Sequence, residues 1–555
     1  QGIYNVAVGY GSLQQNTVGT SNTAIGYAAL NTNTTGTDNT AAGYGTLSLN
    51  TYGYYNTAVG YGALNANTAG YWNVAVGKSA LLNNTTGYYN TAVGGQALTN
   101  NTTGTVNCAF GLNAMQSNTT GSENAAFGAA ALATNSTGTG NSAFGRSALL
   151  FNTTGSNNTA VGYQAGYTNS VGSRTTSVGY QALYNSTVSD NTAIGYYTLI
   201  SNTTGLYNLA VGGGDGATGS TLSNNTIGSY NTGIGFQALK SNTTGVANTA
   251  VGYQAGYSQM TAASNSMLGY QAGYGITTGV NNVAIGQQAM YGAATGNSNN
   301  YIGYQAGYSN TAGTQNIGVG TQSLYTNTIG NYNTAIGNNS LNSNTTGGSN
   351  TAVGYAAGYS TTTRNISVYV GLYAGYSANA DANTFIGSEA GRYVTSGEQN
   401  VLVGYACATT GTNNLTTGGL NTYVGAYITP SAATVTYEQI FGYNLTGKGA
   451  NTFYVRGGAY KTDNTSTWST TSDRRLKKNI VDNNDGLEKI NAIQVRNFEY
   501  RLPEEVDPEL NPTDAINKDG VQLGVIAQEL QQVLPECVKL ETTGVLAVDP
   551  DKLTW

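Results

Sequence analysis

The sequence predicts an all-β protein, a parallel β-solenoid (β-roll) of 17-residue rungs followed by a small α+β domain. Three observations predict it. A block exemplified by Asn56-Thr-Ala-Val-Gly60, Asn73-Val-Ala-Val-Gly77 and Asn90-Thr-Ala-Val-Gly94 recurs 25 times from Asn5 to Asn421, and 20 of the 24 intervals are 17 residues. Within that block the fifth position is Gly and the fourth is apolar in every copy. The composition then changes sharply: residues 1–450 hold 7 of the 19 Lys+Arg and 8 of the 25 Asp+Glu, whereas five of the six prolines lie between Pro503 and Pro550.

The idealised unit reads N-T-A-V-G-Y-Q-A-L-x-S-N-T-T-G-x-x, and its positions are numbered one to seventeen below. Two glycines with β-branched Thr and Val between them make a poor helix, so short strands joined at corners fit better. The glycine at position five marks a corner that needs positive φ or a backbone approach too close for a Cβ. That at position fifteen, in N-T-T-G, marks a second turn whose Asn and Thr satisfy local backbone groups. Stacked one rung per repeat, 25 units make a rod about 120 Å long. No rung buries enough to stand alone, so its stability comes from its neighbours. Asn occupies position one in 23 of 25 copies, which in register forms a ladder of side-chain amides. Positions three and four are both apolar, and the sequence leaves open which one faces inward. The Ala-Leu pair at positions eight and nine, as in Ala97-Leu98 and Ala182-Leu183, reads as a recurrent lateral surface, and the thinness of the rung favours a trimer of solenoids.

The expected divisions are a shaft over 1–425, a β-rich connector over 426–471 and a terminal domain over 472–555. The exceptional intervals locate insertions around Gly213-Gly-Asp-Gly216 and Thr409-Thr-Gly-Thr-Asn413, the natural places for receptor-binding loops.

Composition excludes several functions. A net charge of −6 with few bases argues against nucleic-acid binding. Without a histidine, a histidine triad or histidine-ligated metal is impossible, and Cys108, Cys407 and Cys537 are too scattered for a disulfide framework or zinc cluster. No cofactor or metal is expected, and no apolar run is long enough to insert in a membrane. Gln1 falls inside a repeat, so an upstream segment is expected.

Tyrosine, 43 residues of it, offers the shaft's candidate contacts for a receptor or sugar. Tyr61, Tyr163, Tyr180, Tyr253, Tyr270 and Tyr304 all fall at position six, and files of rings spaced by whole repeats either bind sugars or cover neighbouring rungs and seams. The N-T-T triplets at Asn84, Asn101, Asn118, Asn152, Asn202 and Asn242 match the N-glycosylation pattern, although a turn needs the same residues. Asp381 and Glu398 are 17 apart and would stack about 5 Å from each other, a spacing compatible with a glycosidase pair; the scarcity of acids favours coincidence.

The N-T-A-V-G and N-T-A-I-G blocks resemble the repeats of YadA-type trimeric adhesin heads, which are left-handed parallel β-rolls; those repeats are shorter and lack the N-T-T-G extension. The terminal segment, with Thr471-Ser-Asp-Arg-Arg-Leu-Lys-Lys-Asn-Ile480 followed by Gly524-Val-Ile-Ala-Gln-Glu-Leu-Gln-Gln-Val-Leu-Pro-Glu536, resembles the intramolecular chaperone domain of endosialidases and phage tail fibres, the peptidase S74 family. That resemblance implies a chaperone that drives trimer folding and then cuts itself off between Thr471 and Ser472, with Ser472 and Lys477 as a Ser-Lys dyad. It also implies a long C-terminal helix, so the domain is expected to be truncated at Trp555. The residues suit the chemistry: a serine needs a base, and Arg474, Arg475 and Lys478 lie near Lys477 in sequence to depress its pKa. The expected function is therefore a structural and adhesive homotrimeric fibre, a phage tail fibre or similar extracellular filament, whose partners are itself and a host polysaccharide or protein receptor. A polysaccharide depolymerase is the alternative, and an ice-binding solenoid, suggested by regular Thr files, a more distant one.

Overall fold

The computed structural model describes residues 2–214, 219–292, 295–455, 487–505, 520–540 and 545–549. Its main body is one parallel stack of 27 three-residue strands, β1 (Val6–Val8) to β27 (Phe453–Val455), each paired with the next along the chain. The register is whole-repeat: Val6, Ala7 and Val8 lie opposite Thr23, Ala24 and Ile25. Irregular intervals leave it unchanged. The 16-residue step still sets Thr176 against Thr192, and the two insertions still set Leu209 against Thr232 and Val401 against Thr422. Extra residues are therefore accommodated outside the ladder. In the expected connector, β26 (Gln439–Phe441) and β27 carry the same ladder onward, β27 after a step of only 14 residues from Gln439 to Phe453.

The glycine corner has the reason the repeat suggested. At position five φ is +134° in Gly162, and a Cβ there would lie 2.5 Å from the Gly179 carbonyl oxygen of the next rung. Only glycine combines that torsion with that approach. Position nine is a corner of another kind, since Leu64 and its equivalents have φ near +54° despite their side chains. A non-glycine residue there costs energy, which the fully buried leucine offsets inside the rung.

Positions three, eight and nine form the core, as in Ala58, Ala63 and Leu64, all fully buried. The open question at positions three and four is thereby answered: position three points in and position four out. The Ala-Leu pair expected to face laterally is instead interior, with Ala97, Leu98, Ala182 and Leu183 wholly buried; positive φ at Gly94, Gln96 and Leu98 turns the chain back so that the pair lies inside the rung. The core also keeps its volume when the pattern breaks. Where position nine is Gly307, a Cβ would strike the ring of Tyr301, and at Gly391 it would strike Phe385. A large residue at position three thus fills the space vacated by leucine at position nine.

Two amide ladders run beside this core. In a middle rung the backbone N–H of Asn158 donates to Asn141 Oδ1 at 3.0 Å, and Asn141 Nδ2 donates to the Gly155 carbonyl at 2.9 Å. From position twelve, Asn152 Nδ2 donates to the same Gly155 carbonyl at 3.0 Å and to Asn135 Oδ1 at 2.8 Å. All these asparagines are buried. Replacing Asn141 by Ala strands the Asn158 N–H, and we expect a loss of about 2–4 kcal/mol, read as a lower denaturant midpoint. The position-one ladder gives way to a carboxylate at the buried Glu438, which accepts from the Tyr423 hydroxyl at 2.7 Å and from the Gly449 and Ser431 N–H groups.

Candidate functional site

The outward side of the strand face is set by positions two and four. Position four is apolar in all 25 copies, yet its side chains are exposed or half-buried: Phe144 is 41% and Leu268 50% exposed. Phe110, Phe127 and Phe144 stack along this line at 4.9 Å with planes within 7°. The result is one uncharged, mostly β-branched file along the rod, the kind of contiguous apolar surface that marks an interface.

The six position-six tyrosines stand around the glycine corner from that file. Tyr61 closes a stack of four with Tyr10, Tyr27 and Tyr44. Tyr163 and Tyr180 stack at 5.2 Å, as do Tyr253 and Tyr270. Tyr304 is exposed on the same side; Gln287 separates it from Tyr270 in the file. Because the stacked rings cover one another's faces, they present edges and phenol oxygens, not the open faces on which a sugar ring stacks.

Two further features share this corner, and sequence reasoning missed both. Glutamines at position seven form an amide chain in which Gln254 Nε2 donates to Gln237 Oε1 at 2.8 Å, continuing through Gln271, Gln288, Gln305 and Gln322 at 3.0–3.2 Å. A second tyrosine file at position ten runs from Tyr257 through Tyr274, Tyr291 and Tyr308 to Tyr325, with centroids 5.0–5.2 Å apart. The recurrent Y-Q-A and G-Y pairs were the signal available in the sequence. Lys240 begins this file, its Nζ donating to Tyr257 Oη at 2.9 Å. Partial burial, then the neighbouring phenols, raise the pKa of Tyr274 and Tyr308, so these hydroxyls stay neutral in ordinary buffers.

Other expected sites have different roles. The asparagines of the N-T-T triplets are buried, with Asn84, Asn101, Asn118, Asn152, Asn202 and Asn242 all wholly inaccessible. Their amide nitrogens donate inside the turn, so the folded shaft offers no acceptor there. Thr hydroxyls at position thirteen are also engaged, Thr85 Oγ1 donating to the Thr102 carbonyl at 3.0 Å. Asp381 accepts from the Asn365 N–H at 2.7 Å and lies 3.7 Å from Arg364, which makes it a turn-binding group. Of the insertions, Gly213 and Gly214 leave the stack just after β13 (Leu209–Val211), and Asp215 and Gly216 lie outside the described residues. Thr409–Asn413 bulges from the rung beside the next one, Asn413 Nδ2 donating to the Ser431 carbonyl. Burial pushes the Cys407 thiol up to about 12, so it is no nucleophile. Among the described residues no cluster of metal-ligating side chains occurs, and no helix is long and apolar enough to cross a membrane.

The terminal segment differs in kind. Helix α1 (Leu487–Ala492) precedes β28 (Val495–Phe498), which pairs antiparallel with β29 (Gln522–Val525). Helix α2 (Ala527–Val533) follows, then the antiparallel pair β30 (Val538–Leu540) and β31 (Leu546–Val548). Leu530, Leu534 and Cys537 make a small core, and Arg496 Nε meets Glu529 Oε2 at 3.0 Å across the surface. Thr471, Ser472 and Lys477 lie outside the described residues.

A parallel β-solenoid leading into a separate small domain of this kind defines a shaft with a terminal module. Residues 472–539 match the family model described as chaperone of endosialidase, the peptidase S74 family, at the C-terminal position where the two sequence blocks anticipated it. Such domains are associated with trimeric assembly, and the pairing of solenoid and chaperone is that of a tail-fibre- or tailspike-like protein. No curated protein matches the chain.

Proposed function

We propose that the protein is a structural and adhesive fibre, a phage tail fibre or similar extracellular filament, in which three chains are folded together by the terminal domain before that domain is released. The observation that carries this reading is the domain order: an unbroken stack of 27 strands followed by a segment matching the chaperone of endosialidase. No rung of a one-dimensional stack is stable alone and neighbouring rungs are chemically alike, so misregistered pairing competes with the native one, which is the difficulty a chaperone at one end removes. The position-four file supplies the surface through which three copies meet. Its 25 apolar side chains would bury on the order of 1,000 Å² per chain, the scale of a stable interface.

Release follows from the Ser-Lys reading. The Lys477 amine takes the Ser472 hydroxyl proton, and the oxygen attacks the Thr471 carbonyl carbon. The C–N bond breaks as the proton passes to the Ser472 nitrogen, leaving an ester that water hydrolyses to two chains. Ser472→Ala is expected to yield only full-length chain by intact-mass measurement, while Ser472→Thr keeps some cleavage. Normal cleavage of the Ala variant would remove the residue from the mechanism. Against the depolymerase alternative, Asp381, one member of the candidate carboxylate pair, is engaged by Arg364 and the Asn365 amide.

A further inference from the structure

The corner that carries positions six, seven and ten is continuous only over part of the shaft. From Gln237 to Gln322 six successive rungs carry a glutamine at position seven, linked by five amide–amide hydrogen bonds. Each carboxamide has two N–H groups and two lone pairs. The chain uses one N–H and one lone pair of each inner glutamine, Gln254, Gln271, Gln288 and Gln305, which leaves one donor and one acceptor on each of these four. Apart from Gln237 these residues are half-buried, so the free groups are reachable yet held. Tyrosines border the ladder: Tyr253, Tyr270 and Tyr304 at position six, and the five-ring file from Tyr257 to Tyr325 at position ten. Positions seven and ten are neighbours on the rung: the Tyr274 N–H donates to the Gln271 carbonyl at 3.3 Å, and where both positions carry rings, Tyr373 and Tyr376 meet edge-on at 5.5 Å.

A donor–acceptor pair repeated from rung to rung selects a linear polymer in step with the rungs. The rings fix that repeat at 5.0–5.2 Å. An extended polypeptide repeats at about 3.4 Å per residue or twice that per side-chain face, and falls out of step within a few rungs. A polyanion lacks counter-charges, because among the described residues the only cation beside these rings is Lys240 at one end. An extended chain of β-1,4-linked pyranoses advances about 5 Å per sugar, close to the strand spacing, so its alternating sugars keep step with the rungs as a two-rung repeat, and it offers hydroxyls that both donate and accept.

We propose that this band binds a neutral, extended polysaccharide of β-1,4-linked hexoses lying parallel to the shaft, one sugar per rung. Edge-presented tyrosines border the chain, and the glutamine ladder reads its hydroxyls. The inference rests on the adhesive reading of the shaft and assigns the ligand class and direction to it.

Cello-oligosaccharides and β-1,4-mannan oligosaccharides from dimer to octamer, titrated calorimetrically into the full chain, test the proposal. Affinity should climb with each added sugar and level off at on the order of five, one per half-buried glutamine from Gln254 to Gln322. Gln271→Ala with Gln288→Ala should weaken the hexamer about tenfold, the effect of losing a few net hydrogen bonds. Tyr274→Phe with Tyr291→Phe, which removes only two phenol oxygens and keeps the stack, should also weaken it. Tyr27→Phe with Tyr44→Phe, in the distant N-terminal file, should leave it unchanged. The proposal is overturned if no oligomer of either series binds, if affinity ignores length, or if both band variants bind as the parent does. A trimeric, processed fibre that binds neither series sinks this proposal alone, whereas a single chain that binds with the expected length dependence sinks the fibre reading and keeps the band.

Discussion

Replacing Gly162 by Ala is expected to break the shaft locally and to lower its stability by about 4 kcal/mol, the sum of a glycine-only torsion and an unrelieved overlap. The added Cβ would sit 2.5 Å from the Gly179 carbonyl oxygen at φ +134°. The obstructing atom is backbone in the next rung, which is itself held by the same corner, so no side chain can swing away. Gly140→Ala is the matched control. Its φ is +66°, a torsion that Glu123 and Asn157 adopt at the same phase, and its nearest obstruction is the movable Asn157 side chain. That variant should lose only about 1 kcal/mol. Thermal unfolding and limited proteolysis check both, with new cleavage near residue 162 in the first variant and none in the second. Equal losses would mean that the position-five contact is not what fixes the rung spacing.

The second large effect is on assembly. Phe127→Glu should convert a three-chain particle into single chains while leaving the rung itself folded. Phe127 points away from the core and is 36% exposed in the isolated chain, so its replacement costs the rung only its stacking with Phe110 and Phe144. At a three-fold axis the same change would bring three carboxylates together without partners, at a cost of several kcal/mol. Light scattering reads the change as a threefold fall in mass. A particle unchanged in mass would move the interface away from position four.

Much of this was legible in the sequence, for a physical reason. A stacked rod repeats its environment at every rung, so the torsion demanded of Gly9 is demanded again of Gly26 and Gly43, and the pattern writes itself into composition. What could not be read were choices between chemically similar residues. Val and Ala at positions four and three are both apolar, and only the pleat decides that Ala faces the core. The Ala-Leu pair was misjudged because nothing in a leucine announces a left-handed torsion, and that torsion turns Leu98 inward. The last two rungs were hidden because Glu438 and Thr452 stand where Asn begins a unit. The N-T-T triplets were ambiguous for the opposite reason: a buried turn and a modification signal use the same letters. The glutamine ladder escaped notice because position seven carries Gln in an unbroken run over only six rungs, with a shorter pair at Gln164 and Gln181, and Gln has no strong preference that would mark it.

The terminal domain was legible from its own blocks, and it sets the order of events in this account: association, folding along the rod, then release. The mass of the purified full-length product, with the masses of its denatured chains, tests that order most directly. Three shafts per particle are predicted, each denatured chain ending at Thr471 and each released fragment beginning at Ser472. A particle of 57.1 kDa made of one intact chain would contradict it.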